Sequence, residues 1–148
     1  MDIPNYGKID AKTIVFDMNG TLATDGKVKD DVKNLLQKLS EKYRIVVLTA
    51  DTFGTIKEEF KNLNVHIEII DNTNEKYESS KKYGPYIGIG NGNNDVEMLK
   101  SSELGICVVG EEGASVEALL VSKIVVKDVK DAINLFLNEK RLIATLRK

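Results

Sequence analysis

Three stretches of this sequence end an apolar run on residues that can do chemistry. Thr13-Ile14-Val15-Phe16 leads into Asp17-Met18-Asn19-Gly20-Thr21-Leu22. The run Arg44 to Leu48 leads into Thr49-Ala50-Asp51, and Tyr86 to Ile89 leads into Gly90-Asn91-Gly92-Asn93-Asn94-Asp95. An apolar strand that delivers Asp into a glycine turn sets one carboxylate at the edge of a sheet. The second run places a hydroxyl at the same edge. The third supplies glycines that let the backbone close on a ligand, with Asn and Asp side chains able to hold a cation or bond a neighbour. Asp17 and Asp95, brought together, offer the oxygen ligands that magnesium takes. Singly, each feature is ordinary, because an Asp or Thr at a strand end is most often a turn former or a cap. The glycines are not a dinucleotide fingerprint, since Asn93 stands where Gly-x-Gly-x-x-Gly needs its last glycine. The order and adjacency of the three pieces carry the signal.

Elements that could position them follow from the pattern of apolar residues. Six short β-branched runs are predicted as strands: residues 13–16, 44–48, 65–70, 86–89, 105–109 and 123–126. Several lack strict alternation, as strands buried on both faces of a parallel sheet do. Helical spacing lies between them. Val32, Leu35, Leu36 and Leu39 form one apolar stripe with Asp30 or Asp31 as its cap. Phe53, Ile56, Phe60 and Leu63 form another, so that 50–62 reads as one helix. Asn72 and Glu75 resemble a capping pair that opens a helix running to Gly84. Further helices are expected over 95–100, 114–120 and 129–137, and Leu142, Ile143 and Leu146 give the tail helical spacing. The alternation predicts an α/β domain over 1–148 with a doubly wound, mostly parallel sheet. Such sheets bind ligands beyond the carboxyl ends of their strands. Asp25-Gly26 predicts a small hairpin between the first strand and first helix. That insertion is too short to be a cap domain.

Composition narrows the function. With 21 Lys and Arg against 23 Asp and Glu, the net charge is −2, so there is no basic excess for nucleic acid. No apolar run approaches the roughly 20 residues of a membrane span, and the N-terminal residues lack a signal-peptide pattern. One cysteine, Cys107, fits a reducing compartment, so the expected setting is cytoplasmic. Cys107 is expected in the core, and His66 on a strand surface.

The motifs resemble those of the haloacid dehalogenase (HAD) superfamily of phosphatases and phosphotransferases. Asp17-Met18-Asn19-Gly20-Thr21-Leu22 is similar to its first motif, Asp-x-Asp-Gly-Thr-Leu. Thr49 matches the second-motif Ser/Thr, and Gly90 to Asp95 is similar to the fourth, Gly-Asp-Gly-x-Asn-Asp. Lys76, at the opening of its helix, is the best match to the third-motif Lys, with Lys81 and Lys82 weaker. The stretch from Asn91 to Val126 resembles the phosphorylation domain of P-type ATPases. The resemblance implies a capless HAD-like fold binding magnesium and a phosphorylated substrate. Asp17 would form an aspartyl phosphate, with Thr49, Ala50, Lys76 and Asn94 around the phosphate. Asp17, the Asn19 carbonyl, Asn91 and Asp95 would hold or orient the metal.

Two positions depart from that pattern. Asn19 stands where a phosphatase usually has an acid–base Asp, and Asn91 where a metal-binding carboxylate is usual. An amide cannot exchange a proton near neutral pH, so help typically worth about 10²–10⁴-fold is lost. The sequence therefore predicts a slow magnesium-dependent phosphohydrolase or phosphotransferase. The alternative is a non-catalytic phosphate- and magnesium-binding module that docks to a partner. A capless site is open, so it suits a macromolecular substrate or cover from a second copy in a homo-oligomer; the phosphorylated substrate itself is left as a small molecule or a macromolecule.

Overall fold

The structure, a computed structural model, describes residues 1–148 apart from the side chain of Thr73. Six strands form one parallel sheet: β1 Thr13–Asp17, β2 Arg44–Thr49, β3 His66–Ile69, β4 Tyr86–Gly90, β5 Leu104–Val108 and β6 Ile124–Val126. Their order is β6-β5-β4-β1-β2-β3. The inner strands β1, β4 and β5 are buried along their whole length, which is why their sequences are apolar runs rather than alternations. The edge strands β3 and β6 keep exposed positions.

Helices cover both faces. On one, α1 Asp30–Leu39, α6 Val129–Leu137 and α7 Glu139–Leu146 pack Leu36, Ile133, Phe136 and Leu142 against Ile14, Phe16, Ile87 and Ile89. On the other, α4 Val96–Ser101 and α5 Val116–Val121 set Met98, Leu99 and Ala118 against Val15, Leu48 and Cys107. The α3 helix, Thr73–Lys81, neighbours α4. Because successive strand residues face opposite sides, Asp17 shares the side of Val15 and of α3 to α5.

From β1 the chain builds outward through β2 and β3, then returns to the other side of β1 with β4. The gap between the carboxyl ends of β1 and β4 is thus the switch point, where open α/β sheets take their ligands. Phe16 pairs with Ile89 and Asp17 with Leu48. The register therefore brings the ends of all three chemistry-bearing strands side by side.

Three local features differ from the sequence expectation. Residues 50–62 are not one helix; only Ile56–Glu59, α2, is helical. Asp51 and Gly54 adopt φ of 53° and 67°, and the Asp51 carboxylate accepts from Ile56 N at 3.1 Å, which closes a turn before the helix starts. At α1 the N-cap is Lys29, with no side-chain cap, and Asp30 and Asp31 lie inside the first turn, where their charge suits the helix dipole. An unforeseen hairpin pairs Asp2–Ile3 with Gly7–Lys8. The tail closes on it: Lys148 N donates to Pro4 O at 3.0 Å, and Asn5 Nδ2 to Lys148 O at 2.8 Å.

The hairpin at Asp25-Gly26 forms as expected, joining Ala23–Thr24 to Lys27–Val28. Both turn residues have positive φ, 51° and 78°, the requirement of a type I′ turn. It leans on the loop after β2, where Thr55 Oγ1 donates to Gly26 O at 2.6 Å. It is the only insertion between β1 and α1 among the described residues. No helix among them is long and apolar enough to cross a membrane. Cys107 lies in the core and His66 is exposed on edge strand β3.

Candidate functional site

At the carboxyl ends of β1 and β4 a lysine is buried between two carboxylates. Lys76 Nζ donates to Asp17 Oδ1 and to Asp95 Oδ1, both at 2.7 Å. Relative exposure is 5% for Asp17, 3% for Lys76 and 0% for Asp95, so little water reaches these charges. Each must be neutralised within the protein.

Local folding places each of the three. Asp17 is the last residue of β1, and the turn after it folds back as Leu22 N and Ala23 N donate to Met18 O, both at 2.9 Å. Lys76 is set by the start of α3. The Asn72 side chain accepts from Glu75 N at 3.2 Å, and Glu75 accepts from Asp71 N at 2.9 Å. This capping pair fixes the first turn, from which Lys76 reaches inward. Asp95 closes a 3-10 turn over Asn93–Asp95, its Oδ2 accepting from Asn91 N and Gly92 N, both at 3.0 Å. Gly90 is required there, since a Cβ would lie 2.7 Å from the Asp95 carboxyl.

The charges shift one another. Burial and the nearby Asp95 carboxylate push Asp17 up to about 7, against the downward pull of Lys76. For Lys76 burial acts downward, but Asp17 and Asp95 together hold the ammonium above its ordinary range.

Thr21 completes the cluster, a role that its place within the first motif does not disclose. Its Oγ1 lies 3.2 Å from Asp17 Oδ2 and 3.4 Å from Asn91 Oδ1. A hydroxyl has one proton, and both oxygens are acceptors only. One of the two therefore always lacks a donor from Thr21. Two oxygens converging with one proton between them suit a cation. The Asn19 main-chain carbonyl takes no part in the local bridge, whose bonds run from Gly20 N to Ala23 O and from Ala23 N to Met18 O. Asp17 Oδ2 and Asn91 Oδ1, with the Asn19 carbonyl left unused by the bridge, are the oxygens of this turn that could hold a magnesium-like ion, with a single negative charge among them. Asp95 is placed differently: its oxygens already accept from Lys76 Nζ and two backbone N–H groups.

The remaining candidates sit around this cluster. Thr49 is buried at the end of β2, one residue beyond the Leu48 that pairs with Asp17. Its Oγ1 accepts from Asp51 N at 3.0 Å, which leaves its own proton available to a ligand oxygen. Ala50 is exposed beside it, and Asn94 is exposed on the 3-10 turn. Asn19 Oδ1 is buried without a hydrogen-bond partner among the described residues. Asn91 is held at both ends, its Nδ2 donating to Gly113 O at 3.0 Å. Gly20, with φ of 81°, has no room for a side chain, because a Cβ would collide with Asn91 Nδ2.

Comparison with known proteins gives short sequence relatives and a consistent fold. No protein-family model matches the chain. The uncharacterized protein MJ0073 of Methanocaldococcus jannaschii is 56% identical over 73 residues, which make up 47% of this chain and 78% of that protein. Among solved structures, 3-deoxy-D-manno-octulosonate 8-phosphate phosphatase from Moraxella catarrhalis superimposes with a TM-score of 0.72 at 19% identity, covering 93% of this chain and 94% of that one. That structure holds a magnesium ion, a phosphate ion and a KDO molecule. A zinc-transporting PIB-type ATPase matches with a TM-score of 0.64 at 16% identity, over 79% of this chain and 20% of the transporter.

Proposed function

We infer the function from two premises: the chain belongs to one family with MJ0073 of M. jannaschii, and its fold is that of the HAD phosphatases and of P-type ATPase phosphorylation domains. We propose that it is a magnesium-dependent phosphohydrolase or phosphotransferase of the cytoplasm that works through an aspartyl phosphate on Asp17. The observation that carries this reading is the buried Lys76 ammonium held at 2.7 Å from both Asp17 and Asp95. A lone Asp buried this deeply would be neutral; the lysine opposes that and keeps a nucleophilic carboxylate accessible near neutral pH.

The Asp17 carboxylate attacks phosphorus as the bond to the ester oxygen breaks. The electron pair stays on the leaving oxygen, which takes its proton from water because the Asn19 amide has none to give. In the second step water attacks the aspartyl phosphate, the bond to Asp17 breaks, and the carboxylate is restored. An acceptor hydroxyl in place of water makes the reaction a transfer. The Thr49 hydroxyl and Lys76 orient and neutralise phosphate oxygens. Ala50 and Asn94 border the phosphate position. Asp95 holds Lys76 in place and orients the loop of Asn91. Asp17, Asn91 and the Asn19 carbonyl would hold magnesium, whose charge would offset repulsion between carboxylate and phosphate.

The test is phosphate release, with magnesium, from a panel of phosphomonoesters, acetyl phosphate and nucleotides. Asp17→Asn is expected to abolish release. Asn19→Asp is expected to raise the rate, by up to about 10²-fold, as an acid–base group returns. Release that persists in Asp17→Asn overturns the reading. Release no higher in wild type than in Asp17→Asn favours the second reading, a binding module docking to a partner. The Asn19 amide, which can act as neither acid nor base near neutral pH, favours that alternative.

A further inference from the structure

A cavity of about 320 Å³ lies beside the turn that carries Thr21, between the 23–28 hairpin and the carboxyl ends of β5 and β6. That size is at the small end for ligand pockets. Leu22, Val108 and Val129 give it apolar walls, and Thr21 belongs to it while also touching Asp17 Oδ2. A group in this cavity is therefore one residue away from the nucleophile.

The charges around the cavity do not balance. Of its two carboxylates, Glu111 is paired with Lys29 at 2.6 Å. The other, Asp128, caps α6 by accepting from Lys130 N at 2.8 Å and lies 3.7 Å from Lys130 Nζ. Lys27, on the hairpin, and Lys127, after β6, also line the cavity, and among the described residues neither enters an ion pair. The chain as a whole is slightly acidic, at −2. These two unmatched cations are thus a local feature of the cavity, not part of a basic surface.

We propose that this cavity receives a second acidic group of the substrate, so that the chain acts on phosphomonoesters that also carry a carboxylate or another phosphate. The proposal rests on the Asp17 reading and adds the substrate class. The ester phosphate lies at Asp17, the carbon body crosses Thr21 and packs on Leu22, Val108 and Val129, and the second anion meets Lys27 and Lys127. The small volume limits the body to a few carbons, the size of a short sugar acid or sugar bisphosphate.

Two matched pairs of esters test it: 3-phosphoglycerate against glycerol 3-phosphate, and fructose 1,6-bisphosphate against fructose 6-phosphate. Within each pair the main difference is the second acidic group. Turnover is compared in wild type, in Lys27→Met/Lys127→Met and in Lys27→Arg/Lys127→Arg. Binding to Asp17→Asn is measured by calorimetry, with and without the Met pair. The acidic member of at least one pair is expected to be preferred about tenfold or more, the scale of a hydrogen bond to a charged group. The Met pair should bring that ratio toward one and the Arg pair should retain it. Which pair shows the effect tells carboxylate from phosphate. Equal kcat/KM and equal binding within both pairs overturn the proposal while leaving Asp17 turnover standing. Lysine-dependent preference in binding without turnover of any ester upholds the cavity and removes the Asp17 reading.

Discussion

The turn from Met18 to Leu22 separates two charged regions of opposite design. On the α3 to α5 side, Asp17, Asp95 and Lys76 are buried and matched to within one charge, and their oxygens and nitrogens are fixed by hydrogen bonds at 2.7 to 3.2 Å. On the α1 and α6 side, the cavity keeps Lys27 and Lys127 exposed and unmatched. The difference follows from desolvation. A buried charge without a partner is costly enough to prevent folding, whereas an exposed lysine stays hydrated and can wait for a ligand. Chemistry that needs exact geometry belongs to the first region, and recognition that must select among solutes belongs to the second.

Lys76→Met breaks the comparison most severely. It leaves Asp17 and Asp95 buried without their shared cation. Removing one partner of such a cluster is expected to cost about 3–5 kcal/mol, read as a drop in the urea midpoint, together with loss of turnover. A small loss of stability would mean that water enters the cluster and that its burial is not what organises the site.

A smaller effect should appear in the pH dependence of stability, measured without divalent cations. Asp17 is raised by burial and by Asp95 from 3.8 in the free group to about 7 in the folded protein. The folded state therefore holds this proton more tightly than the unfolded chain. The resulting stabilisation is complete below the unfolded value and is lost as pH rises through about 7. Asp17→Asn removes that loss. The variant should gain on wild type between about pH 4 and pH 8, by about 2–4 kcal/mol for a rise of this size. A constant difference across that range would show that Lys76 outweighs both burial and Asp95.

The same contrast explains what the sequence discloses. Asp17, Thr49 and the 90–95 loop stand out in the sequence as polar groups at the ends of apolar strands, and Lys76 only through its match to a motif lysine; the structure brings Asp17, Lys76 and Asp95 together. The sheet was legible because its inner strands are unbroken apolar runs. The sequence does not show how many donors each group meets. Asp95 reads as a metal-site residue by spacing, yet Lys76 Nζ and two backbone N–H groups already meet its oxygens. Thr21 was visible within its motif, but its position between Asp17 and Asn91 depends on the turn. The stripe Phe53, Ile56, Phe60, Leu63 has helical spacing, but only Ile56–Glu59 is helical. Asp51 closes a turn ahead of it, and Phe53 sits against Gly26, where a Cβ would approach it to 2.7 Å. Tertiary contact overrode local period there. Lys27 and Lys127 carry no sequence signal, since exposed lysines look alike until a fold gathers them around one cavity.

The weakest interaction in the comparison is the most discriminating control. Lys29 and Glu111 meet at 2.6 Å, as close as any contact in the buried cluster, but their side chains are 64% and 58% exposed. If distance governed energy, Glu111→Gln would rival Lys76→Met. Water instead screens the pair and holds both side chains nearly as well apart, so an exposed pair of this kind adds little to stability. Glu111→Gln should therefore shift the urea midpoint little. It should also free Lys29 at the rim of the cavity, adding a third unmatched cation beside Lys27 and Lys127. Affinity for the acidic member of an ester pair should then rise by a few-fold, and that gain should shrink with added salt. A loss of affinity instead would mean that Glu111 orients Lys29 for the ligand rather than competing for it.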